Sequence, residues 1–316
     1  MAIFYYQSLN SSATTTRNMA GLTSQHHTVK TQAHQANNPS GFGLAPPTNP
    51  SVPFGMPIQG PSQLMLSAPA DYMHSSQRSA ADMKILLSSK FQESMQQIMR
   101  NFEHRTPDVT VIGELDASHS DFSGVSQHAG AFVSSVTTGK ACNSFSVFNA
   151  NQNSVFNPNV IQSGMGWVAV ALPTATDQSI VAVFVHVPNV EAGSIATQTA
   201  FYQRIRKALP GRQVDIVMGD TNQGSGGVTP AAVSAAFSST FVDAADAEGG
   251  IQPMDMHEGD FGGTNSTGSN RYDVAVFNSQ TRQKIKFEYV SQRTSALSGS
   301  MDTAITDHMG IVLEVT

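Results

Sequence analysis

Seven short apolar runs constrain this chain more than any other feature. They are residues 2–6 (AIFYY), 109–113 (VTVIG), 168–172 (VAVAL), 180–185 (IVAVFV), 214–218 (VDIVM), 274–277 (VAVF) and 311–315 (IVLEV). Each has strand length, and most are rich in β-branched residues, which pack well on a pleated surface. Helical patterns lie among them. Met83, Leu87, Phe91, Met95, Ile98 and Phe102 recur every three or four residues as one face of a long helix, with Ser79 and Asp82 as its N-cap pair and Pro107 as its stop. Residues 195–209 read as a second helix, with Ile195, Tyr202, Ile205 and Leu209 on one side and Pro210-Gly211 after it. Thr229-Pro230 opens a third through Phe237, with Thr229 as N-cap and Pro230 in the first turn. There is no internal repeat. Helices mixed with buried strands predict a layered α/β domain.

Composition bounds the rest. At 316 residues, 40% hydrophobic and 13% charged, the chain can bury a sizeable core and reads as soluble and globular. The net charge of −6 argues against coating nucleic acid by bulk charge, though not against holding a phosphodiester through a metal ion. One cysteine, Cys142, allows no intrachain disulfide and no cysteine-based zinc site, and reads as a small buried hydrophobe. No apolar run reaches the roughly 18 residues that span a bilayer. The start lacks the basic n-region and long apolar core of an ordinary signal peptide, so the expected compartment is the cytoplasm or the outside by another route. Composition changes near Asp71. No Asp or Glu precedes it, and residues 11–70 are rich in Ser, Thr, Gln, Asn, Pro and Gly. The expected organisation is a first strand within residues 1–10, a polar low-complexity insert or arm over 11–78, and the remainder of the domain over 79–316. That arm is open to three readings: a polar loop, an export or targeting region, or a segment that engages a delivery or partner protein. His26, His27 and His34 within it read as solvated.

Chemistry gathers where the apolar runs end. VTVIG runs into Glu114, IVAVFV into His186, and VDIVMG into Asp220 with Asn222 two residues on. Asp273 opens the run of 274–277, and Asp307-His308 precede the last run. Strand ends are where α/β folds place sites, because rigid backbone aims side chains into a crevice. An acid after one strand is a common turn residue, but this inventory is chemically complete. Carboxylates hold a hard cation through oxygen, two histidines bind phosphoryl oxygens or move protons near neutral pH, and Asn222 orients water or phosphate without adding charge. Such a set suits in-line attack of water on phosphorus.

The ordered series PDVTVIGE, VAVFVHVPN, VDIVMGDTN, RYDVAVF and ITDHMGIVLEV resembles the endonuclease/exonuclease/phosphatase superfamily over roughly residues 80–316. The GDxN segment and the DH pair are its most specific parts. The resemblance implies a deoxyribonuclease I-like layered α/β sandwich, with two packed mixed β-sheets flanked by helices. It implies Mg²⁺, or Mn²⁺, as cofactor. By the same resemblance Glu114 binds the metal, with Asp307 close by. His186 contacts the scissile phosphate or leaving group, Asp220 orients or deprotonates water, Asn222 partners it on the phosphate, and Asp273 pairs with His308. The family's first strand normally ends in an asparagine near the metal. Here AIFYY is followed by Gln7, whose carbonyl offers the same atom from a longer stem, and YYQSLNSSA resembles the start of the catalytic subunit of cytolethal distending toxin. The family's common GDFN is GDTN here.

A nucleic acid is the expected substrate. The segment after GDTN does not continue like the inositol phosphatases, NRYDVAVF lacks their longer signature, and no exposed aromatic hairpin marks a sphingomyelinase. Arg271 is the expected phosphate contact, with Lys140 and Lys284 further candidates. Arg204, Arg206, Lys207 and Arg212 read as a solvated face. A phosphoinositide phosphatase or sphingomyelinase-like phosphoesterase of the same fold remains the alternative, as does a binding module with a decayed site.

Overall fold

The apolar runs form strands, and these assemble into two six-stranded sheets. The computed structural model describes residues 1–8, 95, 96, 98–115, 130–136, 143–151, 157–175, 179–223, 227–246, 254, 255, 259, 260, 271–290 and 308–316. The first sheet comprises β1 (Ala2–Ser8), β2 (Val109–Leu115), β3 (Ala131–Val136), β4 (Ser144–Asn149), β13 (Lys284–Val290) and β14 (Gly310–Val315), in the order β13-β14-β1-β2-β4-β3. The second comprises β5 (Asn159–Gly164), β6 (Trp167–Leu172), β7 (Ile180–His186), β8 (Ile216–Asp220), β9 (Phe241–Asp243) and β12 (Asp273–Asn278), in the order β5-β6-β7-β8-β12-β9. The short strands β10 (Met254–Asp255) and β11 (Gly259–Asp260) form a separate ladder. Both large sheets are mixed. The central pairs β1–β2 and β7–β8 are parallel, and the other described pairings are antiparallel.

Alternate residues of a strand face opposite sides of its sheet. β1 accordingly sends Phe4 and Tyr6 between the two sheets, where they meet Val111, Phe145, Phe184, Met218 and Ala275, and sends Ile3 and Tyr5 to the opposite face. On that outer face a helical stretch ending at residue 101 lays Met95 and Ile98, with Phe102 just beyond, against Tyr5, Ile112 and Val312. The outer face of the second sheet carries α2 (Ile195–Ala208) and α3 (Thr229–Phe237), which pack Phe201, Tyr202, Ala232 and Val233 on Val183, Val217 and Val276. The layers therefore run helix, sheet, sheet, helix, which is the deoxyribonuclease I-like sandwich expected. A short α1 (Asn189–Ala192) leads into α2, whose start is fixed by a reciprocal cap: Thr197 N–H donates to Ser194 Oγ and Ser194 N–H to Thr197 Oγ1.

Two local expectations are corrected. Ile195 is 48% exposed, because the buried face of α2 is Gln198, Phe201, Tyr202 and Ile205. Thr229 is the first helical residue of α3 rather than its N-cap, since its hydroxyl donates to Gln198 Oε1 and its N–H to Gln223 Oε1. Of the long Met-rich stripe, Met95, Ile98 and Phe102 are described and buried, while Met83, Leu87 and Phe91 lie outside the described residues, as does the polar segment 11–78. No described helix is long and apolar enough to cross a membrane.

Candidate active site

The second sheet builds half of the site by register alone. Across β7, β8 and β12 the inner-face rows are Ala182–Ile216–Phe277, then Phe184–Met218–Ala275, then His186–Asp220–Asp273. Adjacent strands lie about 4.7–4.9 Å apart, so residues of one row stand side by side. Two apolar rows thus give way to a third of one imidazole and two carboxylates at the sheet's end. Gly219 lets β8 pass close to β7 just before that row. Its φ is +147°, and a Cβ there would stand 2.1 Å from the Val185 carbonyl oxygen.

The first sheet supplies the opposing wall. Pairing of β2 with β4 shifts register between Ile112 and Leu115, which bulges Gly113 and Glu114. Glu114 adopts φ +57°, costly for a side chain with a Cβ, and the bulge aims its carboxylate at the other sheet. Ser8, next after Tyr6 on the inner face of β1, donates its hydroxyl to Glu114 Oε2 at 2.5 Å. His308 precedes β14 and crosses the sandwich, its Nδ1 lying 2.8 Å from Asp273 Oδ2. An ionised carboxylate only accepts, so this contact puts the proton on Nδ1 and leaves Nε2 facing inward. His308 Nε2 is 3.9 Å from Asp220 Oδ2. His186 Nε2 is 3.7 Å from Asp220 Oδ2 and 3.9 Å from Glu114 Oε1. Asn222, held at φ +48°, donates its backbone N–H to Asp220 Oδ1 at 2.9 Å and its amide to the Val187 carbonyl at 2.9 Å.

Glu114, His186, Asp220, Asn222, Asp273 and His308 thus converge in one place, drawn from both sheets. Three carboxylates that are 9%, 1% and 0% exposed (Glu114, Asp220, Asp273) face two imidazoles. Like charges this close and this buried disfavour joint ionisation unless cations offset them. One ligand atom each from Glu114, Asp220 and His308 lie within 4.8 Å of one another. A donor set of two carboxylates and no thiolate fits Mg²⁺, and the imidazole is compatible with Mn²⁺.

Other expected residues are placed differently. Gln7 shares the outward face of Tyr5. Its amide donates to the Ser8 and His308 carbonyls and its oxygen accepts from the Tyr5 hydroxyl, so it braces the strand junction rather than facing Glu114. The residue that β1 turns toward Glu114 is Ser8, which the sequence reading missed. Arg271 forms an ion pair with Asp243, with Asp246 3.5 Å away. Burial pushes the Asp243 carboxyl up, and Arg271 pulls it back. Asp307 lies outside the described residues, as does Lys140, and Lys284 donates to the Ala244 carbonyl. Tyr6 lies on the inner face of β1. Burial, reinforced by Asp220, Asp273 and Glu114, holds its hydroxyl well above the ordinary tyrosine range.

No protein-family model and no curated protein sequence matches the chain. Solved structures do. A mannosyl-6-phosphatase of Bacteroides thetaiotaomicron is 10% identical, the match covering 73% of this chain and 91% of that one with a TM-score of 0.48. An endonuclease/exonuclease/phosphatase family protein of the same organism is 11% identical over 72% of this chain and 86% of its own, with a TM-score of 0.46. D. rerio TDP2, complexed with a single-strand DNA product, is 13% identical over 72% of this chain and 92% of its own, also with a TM-score of 0.46. All three are likenesses at low identity.

Proposed function

We propose that this protein is a metal-dependent phosphoester hydrolase whose substrate is a nucleic acid. The observation that carries the reading is the convergence of Glu114, His186, Asp220 and His308, from four strand ends on two sheets, with ligand atoms of Glu114, Asp220 and His308 within 4.8 Å. Glu114 would hold the divalent cation, with Asp220 near enough to share it, and the ion would offset the negative charge that gathers on the phosphate.

The chain's own groups supply the remainder. Asp220 orients the attacking water and takes its proton, and Asn222 fixes Asp220 through its backbone N–H. The new bond joins the water oxygen to phosphorus as the bond from phosphorus to the leaving oxygen breaks. Negative charge gathers on the phosphoryl oxygens during that exchange. A His308 imidazolium, anchored through Nδ1–H on the Asp273 carboxylate, meets that charge with its Nε2–H from one side. His186 meets it from the other and delivers a proton to the leaving oxygen. The net charge of −6 fits an enzyme that holds its substrate locally through cation and imidazoles rather than by a basic surface.

A substrate panel tests the assignment. Plasmid DNA and single-stranded RNA, against phosphoinositide and sphingomyelin vesicles, each with Mg²⁺ and with EDTA, should give Mg²⁺-dependent cleavage of nucleic acid. Turnover confined to the lipids would replace the nuclease reading with the phosphatase or phospholipase one. Absence of metal-dependent turnover on every substrate would leave a binding module.

A further inference from the structure

One buried polar group in the core lies against this site without a role in the chemistry above. Tyr6 is 0% exposed; its hydroxyl oxygen lies against the Asp220 backbone, and no acceptor for its proton is found among the described residues. A buried hydroxyl proton without an acceptor is destabilising, so its retention calls for a reason. Packing fixes where it points. The ring lies on the inner face of β1, stacked on Phe184 at 6.3 Å between centroids, and Phe184 stands one inner-face step before His186. Its hydroxyl rests on Gly113, where a Cβ would stand 2.4 Å from it, and Gly113 immediately precedes Glu114 in the bulge. The next inner-face residue of β1, Ser8, already bonds Glu114. The phenol therefore ends at the floor of the carboxylate cluster, between the apolar rows and the polar one.

We propose that Tyr6 is a positioning residue of the hydrolytic site, its hydroxyl donating a hydrogen bond from the core side to a water oxygen held between Glu114 and Asp220. The proposal rests on the hydrolase reading above. A water has two protons and two lone pairs. If its protons go to the two carboxylates and one lone pair accepts from Tyr6, the remaining lone pair is left toward the cleft, where phosphorus must sit. The hydroxyl neither gains nor loses a proton in this role. It narrows the orientations of the nucleophile, which is the part of catalysis that geometry supplies.

Tyr6→Phe removes the oxygen and keeps the ring, so packing on Phe184 survives. In protein labelled with ¹³Cζ-tyrosine, the Tyr6 signals are those absent from Tyr6→Phe. Their hydroxyl proton should be protected from exchange and should shift in the Asp220→Asn variant. A Tyr6 hydroxyl signal indifferent to Asp220→Asn overturns the proposal whether or not a substrate is known. On a cleaved substrate, Tyr6→Phe should lower kcat roughly tenfold, the equivalent of one net hydrogen bond, with KM and Tm nearly unchanged. An unchanged kcat, or a kcat loss matched by a loss of Tm, also overturns it. A responsive hydroxyl signal in a wild-type protein without Asp220-dependent turnover would instead overturn the hydrolase reading and leave the hydrogen bond standing.

Discussion

Gly219→Ala is a single added methyl group that should damage both fold and site. The backbone at Gly219 has φ +147°, a region that L side chains rarely adopt, and holding alanine there costs roughly 1–3 kcal/mol. The methyl would also stand 2.1 Å from the Val185 carbonyl oxygen and 2.8 Å from the Val185 nitrogen. Both are backbone atoms of the paired strand β7 and cannot swing aside, so overpacking adds roughly another 1–3 kcal/mol. The sum is about 4 kcal/mol, which for a domain of this size lowers Tm by on the order of 10 °C. Any relief that separates β7 from β8 also separates His186 from Asp220, the next pair in register. A displacement of about 1 Å there costs on the order of 10²-fold in rate. Differential scanning fluorimetry should be run beside Gly211→Ala, where φ is +71° but no atom lies within 4 Å of the added carbon. Gly211→Ala pays only the backbone strain. A Gly219→Ala protein that melts no lower than Gly211→Ala, with unchanged turnover, would refute the close-approach argument.

Three further outcomes follow from the site. Asp273→Asn and His308→Ala should each lower kcat by roughly 10²–10⁴-fold, and their double variant should fall far short of additivity because the two side chains act as one unit at 2.8 Å; full additivity in folded proteins would separate them. Arg271→Ala should lower Tm, through the buried Asp243 it abandons, while KM stays within about twofold; a large rise in KM at constant Tm would restore Arg271 as a substrate contact. Glu114→Gln should weaken Mn²⁺ binding followed by electron paramagnetic resonance without substrate, and unchanged affinity would move the metal elsewhere.

The site was legible where a strand's apolar run stops, because the inner rows change from hydrophobic to ionisable at the row of His186, Asp220 and Asp273. It was not legible at the end of β1. AIFYY is buried on both faces, Phe4 and Tyr6 inward and Ile3 and Tyr5 outward, so no alternation tells which of Gln7 and Ser8 faces Glu114. The structure turns Ser8 inward. Arg271 lies two residues before Asp273 in sequence, and its ion-pair partner Asp243 comes from β9, 28 residues away in sequence. The strands β3, β4, β5 and β13 were missed because Ser, Asn, Lys and Glu interrupt their apolar residues, as in KIKFEYV of β13 at the sheet edge. Gly113 and Gly219 show a signal that was present and unread. Each precedes an acid at a strand end, and each marks backbone that a Cβ would block.

Metal-dependent hydrolysis that needs Asp220 is the central claim, and it reduces to one measurement. Cleavage of plasmid DNA should be followed for the wild type and Asp220→Asn, both confirmed folded, across a Mg²⁺ titration ending in EDTA. The account predicts wild-type cleavage that rises with Mg²⁺ and vanishes with EDTA, and a loss of roughly 10²–10⁴-fold in the variant at saturating metal. Equal cleavage by the two proteins, or wild-type cleavage indifferent to EDTA, would contradict it.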